Sequence, residues 1–305
     1  MLLLFYIITK INLNDFNNIK VCVCTLGKNE NKYIVEFIEY YKNYGIDKIY
    51  LSDNNDINGE HFEDKIQNYI NSGFVEIIDW RGISGGTTYY KIMNYCYQIH
   101  HNDYDWMIFY EIDEFIYLKD FIKIKQYLNQ KQFKLCDSIQ LNWVHISDEN
   151  KLYYENKTLR ERFTKVGNNV NKNKFNMLAY IKTIIKGHLK NITVTHNHLI
   201  SGKLHGCNGF GKPSNLSGFL SRNPDYESYY IYHYYGKTVE EFIEKINRGD
   251  LLRGNNINVI KFAIQKFFYI NNITLEKITY IQKHLGKTYN LTEYLNKYRN
   301  KIVNV

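Results

Sequence analysis

Trp106-Met-Ile-Phe-Tyr-Glu-Ile-Asp-Glu-Phe115 is the stretch on which the fold turns. Its apolar and aromatic residues from Trp106 to Tyr110 fit a strand buried on both faces, as in a sheet covered by helices. Charge follows without a gap, because Glu111, Asp113 and Glu114 come next. Toward the N-terminus the same alternation of apolar runs and amphipathic stretches recurs. Residues 19–25 (IKVCVCT) read as a buried strand bounded by Gly27, 48–52 (KIYLS) as a second, and 74–79 (FVEIID) as a third. Between the first two, Ile34, Phe37, Ile38 and Tyr41 follow the i, i+3, i+4, i+7 rule, with Asn29 or Asn31 as cap and Gly45 as stop. Phe62, Ile66, Tyr69 and Ile70 make a second helical face closed by Gly73. A third helix is expected after Gly85-Gly86, running through His100.

This β-α-β-α-β-α-β order predicts an α/β fold, a mostly parallel central sheet with helices on both faces. Ligands of such sheets sit at the carboxyl ends of the strands. Polar residues collect at those ends, at 25–30, 53–55, 79–81 and 111–114. From Cys136 the pattern is less regular, with strand-like stretches at 138–146 and 191–198. The tail from Thr238 reads as helices broken at Gly249, Gly254 and Gly286. No linker rich in Pro, Gly or Ser intervenes. The expected organisation is one α/β domain over 1–237 with a C-terminal helical extension over 238–305 packed on it.

A chain of 305 residues, 44% hydrophobic and 23% charged, can bury a large core without staples. That composition excludes a disordered tail, a collagen-like chain and a coiled-coil rod. The 29 Tyr and only 2 Pro, among many Asn, Ile and Lys, read as the bias of an AT-rich genome. Lys+Arg 39 against Asp+Glu 31 leaves a net charge of +8. The lysines are scattered, so the surplus suits small anions such as nucleotide diphosphates better than nucleic acid. Cys22, Cys24, Cys96, Cys136 and Cys207 form no CxxC pair and are odd in number, which reads as a reduced, intracellular chain. Asn-x-Ser/Thr sequons at Asn156, Asn191, Asn215, Asn272 and Asn290 are expected by chance in so Asn-rich a sequence. The opening MLLLFYII lacks a basic flank and a cleavage site, is too short to span a bilayer, and reads as a buried first strand. The expectation is a soluble, cytoplasmic protein without a transmembrane segment.

Glu111 and Asp113 are two apart, so in extended chain both carboxylates face one side. Such a pair suits a hard divalent cation shared with a phosphate; solvated acids at a strand end are the plain alternative. The loop Thr25-Leu-Gly-Lys-Asn-Glu30 is neither a Walker A sequence nor GxGxxG, which removes the P-loop and dinucleotide readings. Lys28 can pair with phosphate and Glu30 can accept from a base or ribose, or both decorate a helix start. His196-Asn-His198, with His205 and Cys207 behind it, would satisfy zinc as His3Cys or serve as polar strand and acceptor-pocket residues. Thr238 and Glu241 form a capping box, and Phe242 and Ile246 an apolar stripe. That helix is structural, whereas His233 and Lys237 on the segment leading into it are free to reach a site.

Together these blocks resemble the family 92 and family 2-like glycosyltransferases. Lys28-Asn-Glu30, Glu36-Phe-Ile-Glu-Tyr-Tyr, Asp53-Asn54, Glu111-Ile-Asp-Glu-Phe115 and His233-Tyr-Tyr-Gly-Lys-Thr-Val-Glu-Glu-Phe follow that family's order, and Lys182-Thr-Ile with His196-x-His198 fits its later block. The resemblance runs from about Val21 to Gly249. It implies a GT-A type fold, a nucleotide-sugar donor of the UDP-sugar kind, and a divalent metal, Mn2+ or Mg2+. It also implies roles. Asp113 would ligate the metal, Glu111 would assist through ribose or water, and His233 would be a third ligand or a diphosphate contact. Lys28, Asn29, Glu30, Asp53 and Asn54 would hold the nucleotide-sugar, with Thr25 beneath it and Lys237 beside the phosphates. Two departures stand out: the first acid of the D-x-D block is Glu111, and the helix motif lacks its usual Trp and His.

The implied reaction is an inverting transfer to a glycan or protein acceptor, with the cation taking up charge on the leaving diphosphate. A base must deprotonate the acceptor hydroxyl, and Asp148 or Glu149 in His145-Ile-Ser-Asp-Glu149 is the candidate by position after the metal block, Asp148 being preferred, with a surface turn as the plain alternative. The rival readings are a degenerate carbohydrate-binding protein on the same fold and a zinc-containing nucleic-acid module.

Overall fold

The structure is a computed structural model, which describes residues 19–168, 179–196, 199–201, 204–217, 220–249 and 256–303. Strands β1 (Val21–Gly27), β2 (Lys48–Asp53), β3 (Val75–Asp79) and β4 (Trp106–Phe109) lie in the order β3-β2-β1-β4, all parallel. Helices α1 (Ile34–Asn43), α2 (Glu63–Asn71) and α3 (Thr88–His100) connect them. The winding reverses at β1. Crossovers between parallel strands keep one hand, so reversal sends α1 and α2 to one face and α3 to the other. The period-2 alternation of β1 serves both faces. Val21 and Val23 pack with Phe37, Tyr41 and Ile66, whereas Cys22 and Cys24 pack with Ile92, Met93 and Tyr97. The point of reversal also opens a crevice between the carboxyl ends of β1 and β4.

The chain then adds β5 (Glu114–Leu118), α4 (Ile124–Leu128), a 3-10 turn (Lys131–Phe133), β6 (Ser138–His145), α5 (Leu159–Arg162) and β7 (Ile181–Lys186). Next come a hairpin of β8 (Thr193–His196) and β9 (Leu199–Ser201), then β10 (Gly206–Asn208), a short ribbon of β11 (Leu216–Ser217) and β12 (Leu220–Ser221), and β13 (Tyr229–His233). They extend the sheet as β4-β7-β6-β13-β5, with β10 beside β6. β7 runs antiparallel to β4 and β6, β5 runs antiparallel to β13, and β6 and β13 are parallel.

Four helices follow: α6 (Val239–Arg248), α7 (Ile257–Ile270), α8 (Leu275–Leu285) and α9 (Thr292–Val303). They share an apolar cluster in which Phe242 stacks on Phe267, with Ile246, Ile264, Ile281 and Leu295 around them. Full burial of each such side chain contributes about 1.5–3 kcal/mol. Thr238 and Glu241 form the expected capping box at the start of α6. Glu241 also receives both guanidinium arms of Arg162 at 2.8 Å and the Tyr33 hydroxyl at 2.6 Å, so α1, α5 and α6 meet at one buried carboxylate. Glu36, from the helix motif, accepts from the Leu159 and Arg160 amides at the start of α5. Both motif acids are therefore ties between elements.

Several expectations are corrected. α1 begins after Tyr33, not at an Asn cap: the Asn29 N–H donates to Asn55 Oδ1 at 2.7 Å and Asn31 bonds to Glu60 and His61, which holds both in the loop. The cysteines are not all free. Cys24 on β1 is bonded to Cys96 on α3, and Cys136 to Cys207 on β10, leaving Cys22 buried and unpaired. Sheet pairing brings together cysteines 72 and 71 residues apart, a proximity that local spacing does not encode. The opening apolar segment and Gly254 lie outside the described residues. No helix among the described residues is long and apolar enough to cross a membrane.

Candidate active site

The crevice between β1 and β4 is a cleft of about 750 Å3. One wall comes from Gly27, Lys28 and Glu30 after β1 and from Glu111 and Asp113 after β4; the other comes from Tyr235 and from Lys245 and Arg248 on α6. Gly27 is required at the strand end. A Cβ there would lie 2.5 Å from Ile112 and 2.6 Å from Phe62, so the small residue lets the acidic segment approach β1.

The acids are held by cations. Glu111 Oε1 accepts from Lys182 Nζ at 2.7 Å, and the same ammonium lies 3.2 Å from Glu114. Lys182 is fully buried on β7, between these carboxylates. Burial works against charge on Glu111, but Lys182 offsets it and the carboxyl stays below its usual range. Glu114 is pushed up to about 8 by burial, which Lys182 only partly opposes. Asp113, buried at 3% exposure, faces Lys245 at 3.3 Å and Lys237 at 3.4 Å through Oδ2. Burial would raise its pKa; Lys245 and Lys237 outweigh that and hold it well below the usual carboxylate range.

Asp113 Oδ1 lies 3.7 Å from His233 Nε2, at the end of β13. Burial drives the His233 pKa well below the usual range, so the ring is neutral. Neither ring nitrogen has a hydrogen-bond partner among the described residues. Asp113 and His233 therefore offer a carboxylate oxygen and an imidazole nitrogen toward one point, a donor pair that fits a divalent cation. Glu111 fits less well, because Lys182 occupies one of its oxygens. No group of three or more His, Cys, Asp or Glu among the described residues could hold a metal ion from protein alone.

The loop after β1 is built from side chains. Glu30, 5% exposed, accepts from Arg248 and lies 3.6 Å from Lys237. Arg248 also donates to the Lys28 carbonyl at 2.6 Å. Lys28 pairs with Asp56 at 2.7 Å, and Asn29 sits at φ +54°, a left-handed conformation Asn tolerates. The Thr25 hydroxyl is buried without a hydrogen-bond partner among the described residues. Asp53 is committed to the loop: Oδ1 accepts from the backbone and side chain of Asn55, and Oδ2 from Arg81 at 2.7 Å. Asn54 lines the cleft while its amide donates to the Trp80 and Ile83 carbonyls.

Thus Lys28, Glu30, Asn54, Glu111 and Asp113 line one cleft, His233 and Lys237 reach its Asp113, and Asn29, Asp53 and Thr25 stand behind it. Asp148 is elsewhere. It is 1% exposed, its carboxylate lies 2.6 Å from the equally buried Lys277 of α8, and its N–H donates to Asn271. Asp148 thus sits in a closed ion pair and does not line the cleft. The zinc reading falls, since the Cys207 sulfur is in a disulfide; His198 and the His196 side chain lie outside the described residues.

The sequence alone assigns no role to Lys182, Lys245, Arg248 or Arg81, although Lys182 and Arg81 fall in stretches it singles out. A lone Lys inside the apolar run of β7 carries no local signal. Glu241, Lys245 and Arg248 do recur at i, i+4 and i+7 on α6, but such a charged stripe ordinarily faces solvent.

A crevice at the reversal point of an α/β sheet, with acids on one wall and bases on the other, is where such a sheet holds its ligand, and the fold is of the GT-A type. The chain belongs to glycosyltransferase family 92, whose profile it matches over residues 17–258. Comparison with curated proteins finds no match. Among solved structures it is similar to S. aureus TarS 1–349 in complex with UDP, at 12% identity and TM-score 0.37 over 93% of this chain and 88% of that one. The same protein in complex with UDP-GlcNAc gives 11% identity and TM-score 0.35, over 93% and 88%. Against the longer S. aureus TarS chain the values are 12% and 0.33, and this chain spans 53% of its length while 93% of its own is covered.

Proposed function

We propose that the protein transfers a sugar from a nucleoside-diphosphate donor, a UDP-sugar, to a hydroxyl of a glycan or glycoprotein acceptor, with inversion at the anomeric carbon. One observation carries the reading: Glu111 and Asp113 at the end of β4 face Lys237, Lys245 and Arg248 across the cleft beside the loop after β1. Family membership supports the donor class.

A divalent cation, manganese or magnesium, is part of the proposal, with Asp113 and His233 as its protein ligands. When bound it would take up charge on the leaving diphosphate as a Lewis acid. The chain's own groups do the remaining work. Lys237 and Lys245 keep Asp113 ionised, and burial keeps the His233 ring neutral, with one nitrogen free of a proton. Arg248 and Lys237 fix Glu30, and Lys182 fixes Glu111, so the acids are oriented before substrate arrives. The disulfides support an oxidising compartment over the cytoplasmic placement, since such bonds are rare where thiols are kept reduced.

The test is a thermal-shift screen of UDP-, GDP- and CMP-sugars, with and without manganese, on the wild type and Asp113→Ala. Stabilisation by the UDP series that needs metal and disappears in the variant is expected. No shift with any nucleotide would sink the reading. Proton NMR of the product reports the anomeric configuration.

A further inference from the structure

Beside the cleft, Lys266 has no counter-ion among the described residues. Lys182 is engaged with Glu111 and Glu114, Lys237 and Lys245 with Asp113, and Arg248 with Glu30. Lys266 lies on α7, a turn beyond Ala263 at the cleft wall, and makes no hydrogen bond or ion pair among the described residues. Its ammonium rests instead against aromatic faces, 4.0 Å from the Tyr235 ring centroid, 4.9 Å from Trp143 and 5.7 Å from Tyr180. Lys245 approaches the same Tyr235 ring at 4.5 Å, so two like charges share one aromatic side chain.

Beside them stand His145 and His233, 1% and 2% exposed, with ring centroids 5.2 Å apart. No nitrogen of either ring is hydrogen-bonded among the described residues. Burial, and next the charge of Lys266, hold the His145 pKa well below its usual range, so this ring too is neutral and keeps one N–H to donate. The Lys266 ammonium is itself pushed down to about 7 by burial and by Lys245. Partly desolvated donors gathered without an acceptor are unfavourable, and an anionic oxygen relieves both the missing hydrogen bonds and the repulsion between the lysines.

We propose that Lys266, with Lys245 and His145, forms an anion subsite that takes a phosphate-like oxyanion of the substrate. The source of that oxyanion rests on the nucleotide-sugar reading: it is either the donor's diphosphate or an acidic group on the acceptor. His233 stays with Asp113 in the neighbouring cation pair, so the subsite adds a second point of charge recognition beside it.

Calorimetric titration tests this with inorganic pyrophosphate, UDP and uridine on the wild type, Lys266→Met and Lys266→Arg, at one ionic strength and without metal. A charge-assisted hydrogen bond gained on binding corresponds to about ten- to hundred-fold in affinity. Pyrophosphate should weaken by that factor in Lys266→Met and stay near wild type in Lys266→Arg. If UDP weakens equally while uridine does not, the donor supplies the anion; if UDP is unchanged while pyrophosphate weakens, the acceptor does. Lys266→Gln takes the place of the methionine variant if that one does not fold. Pyrophosphate that binds the wild type and the uncharged variants alike, or does not bind the wild type, overturns the proposal. Failure of the donor reading looks different, because the wild type would then bind pyrophosphate but no nucleotide.

Discussion

Replacing Glu241 by Gln should loosen the whole molecule, and the size of the effect can be worked out. The carboxylate accepts two bonds from Arg162, one from Tyr33 and two from Thr238, at 3% exposure. Burial opposes its charge, yet these partners bring its pKa from 4.5 down to about 2. A shift of that size corresponds to about 3 kcal/mol of linked stability. The folded-state pKa is depressed, so the contribution is complete above the unfolded value and is lost as pH falls from about 5 toward 2. Removing one partner of a buried pair gives a similar figure, about 3–5 kcal/mol, because the Arg162 charge is left uncompensated. Urea denaturation at neutral pH should show that loss, and the variant should lose the wild type's extra acid sensitivity. Arg162→Met with Glu241→Leu together should cost less than the sum of the single changes. Since α6 also carries Lys245 and Arg248, donor affinity should fall in the single variant. A single-variant loss below about 1 kcal/mol, or a fully additive pair, would refute the reasoning.

Asp148→Asn separates an architectural residue from a base: turnover should stay within about twofold, while stability at pH 7 falls by about 3 kcal/mol as Lys277 is stranded. A large fall in kcat with unchanged stability would restore Asp148 to the chemistry. Thiol counting on the denatured, unreduced chain should find a single reactive cysteine, Cys22, and Cys136→Ser should cost roughly 2–4 kcal/mol of stability by freeing a long loop. Lys182→Met should leave Glu111 unanchored and Glu114 protonated, lowering kcat more than donor affinity; an unchanged kcat counts against its role in orienting the acids.

The parallel half of the sheet was legible because strands buried on both faces carry continuous apolar runs, as 21–24, 49–51 and 106–109 do. The other half was not, since the entry of β7 between β4 and β6 is a pairing between distant segments. Glu111 and Asp113 could be named from spacing at a strand end. What surrounds them could not. Lys182 lies 71 residues from Glu111 and Lys245 lies 132 from Asp113, and only the fold brings those charges together. A comparable distance in sequence separates Asp148 from its partner Lys277, which arrives from a helix of the C-terminal segment. Asn29 and Asn31 failed as caps because their polar groups were claimed by the neighbouring loop.

The two covalent loops, Cys24 to Cys96 and Cys136 to Cys207, are consecutive and do not overlap. Neither reaches helix α6, beyond Cys207, which supplies Lys245 and Arg248 to the cleft. The staples tie β1 to α3 and the segment before β6 to β10, while the wall carrying the bases is held by noncovalent ties such as Arg162 to Glu241. Partial opening along that seam breaks no covalent bond, and it would admit a bulky acceptor while the sheet stays folded.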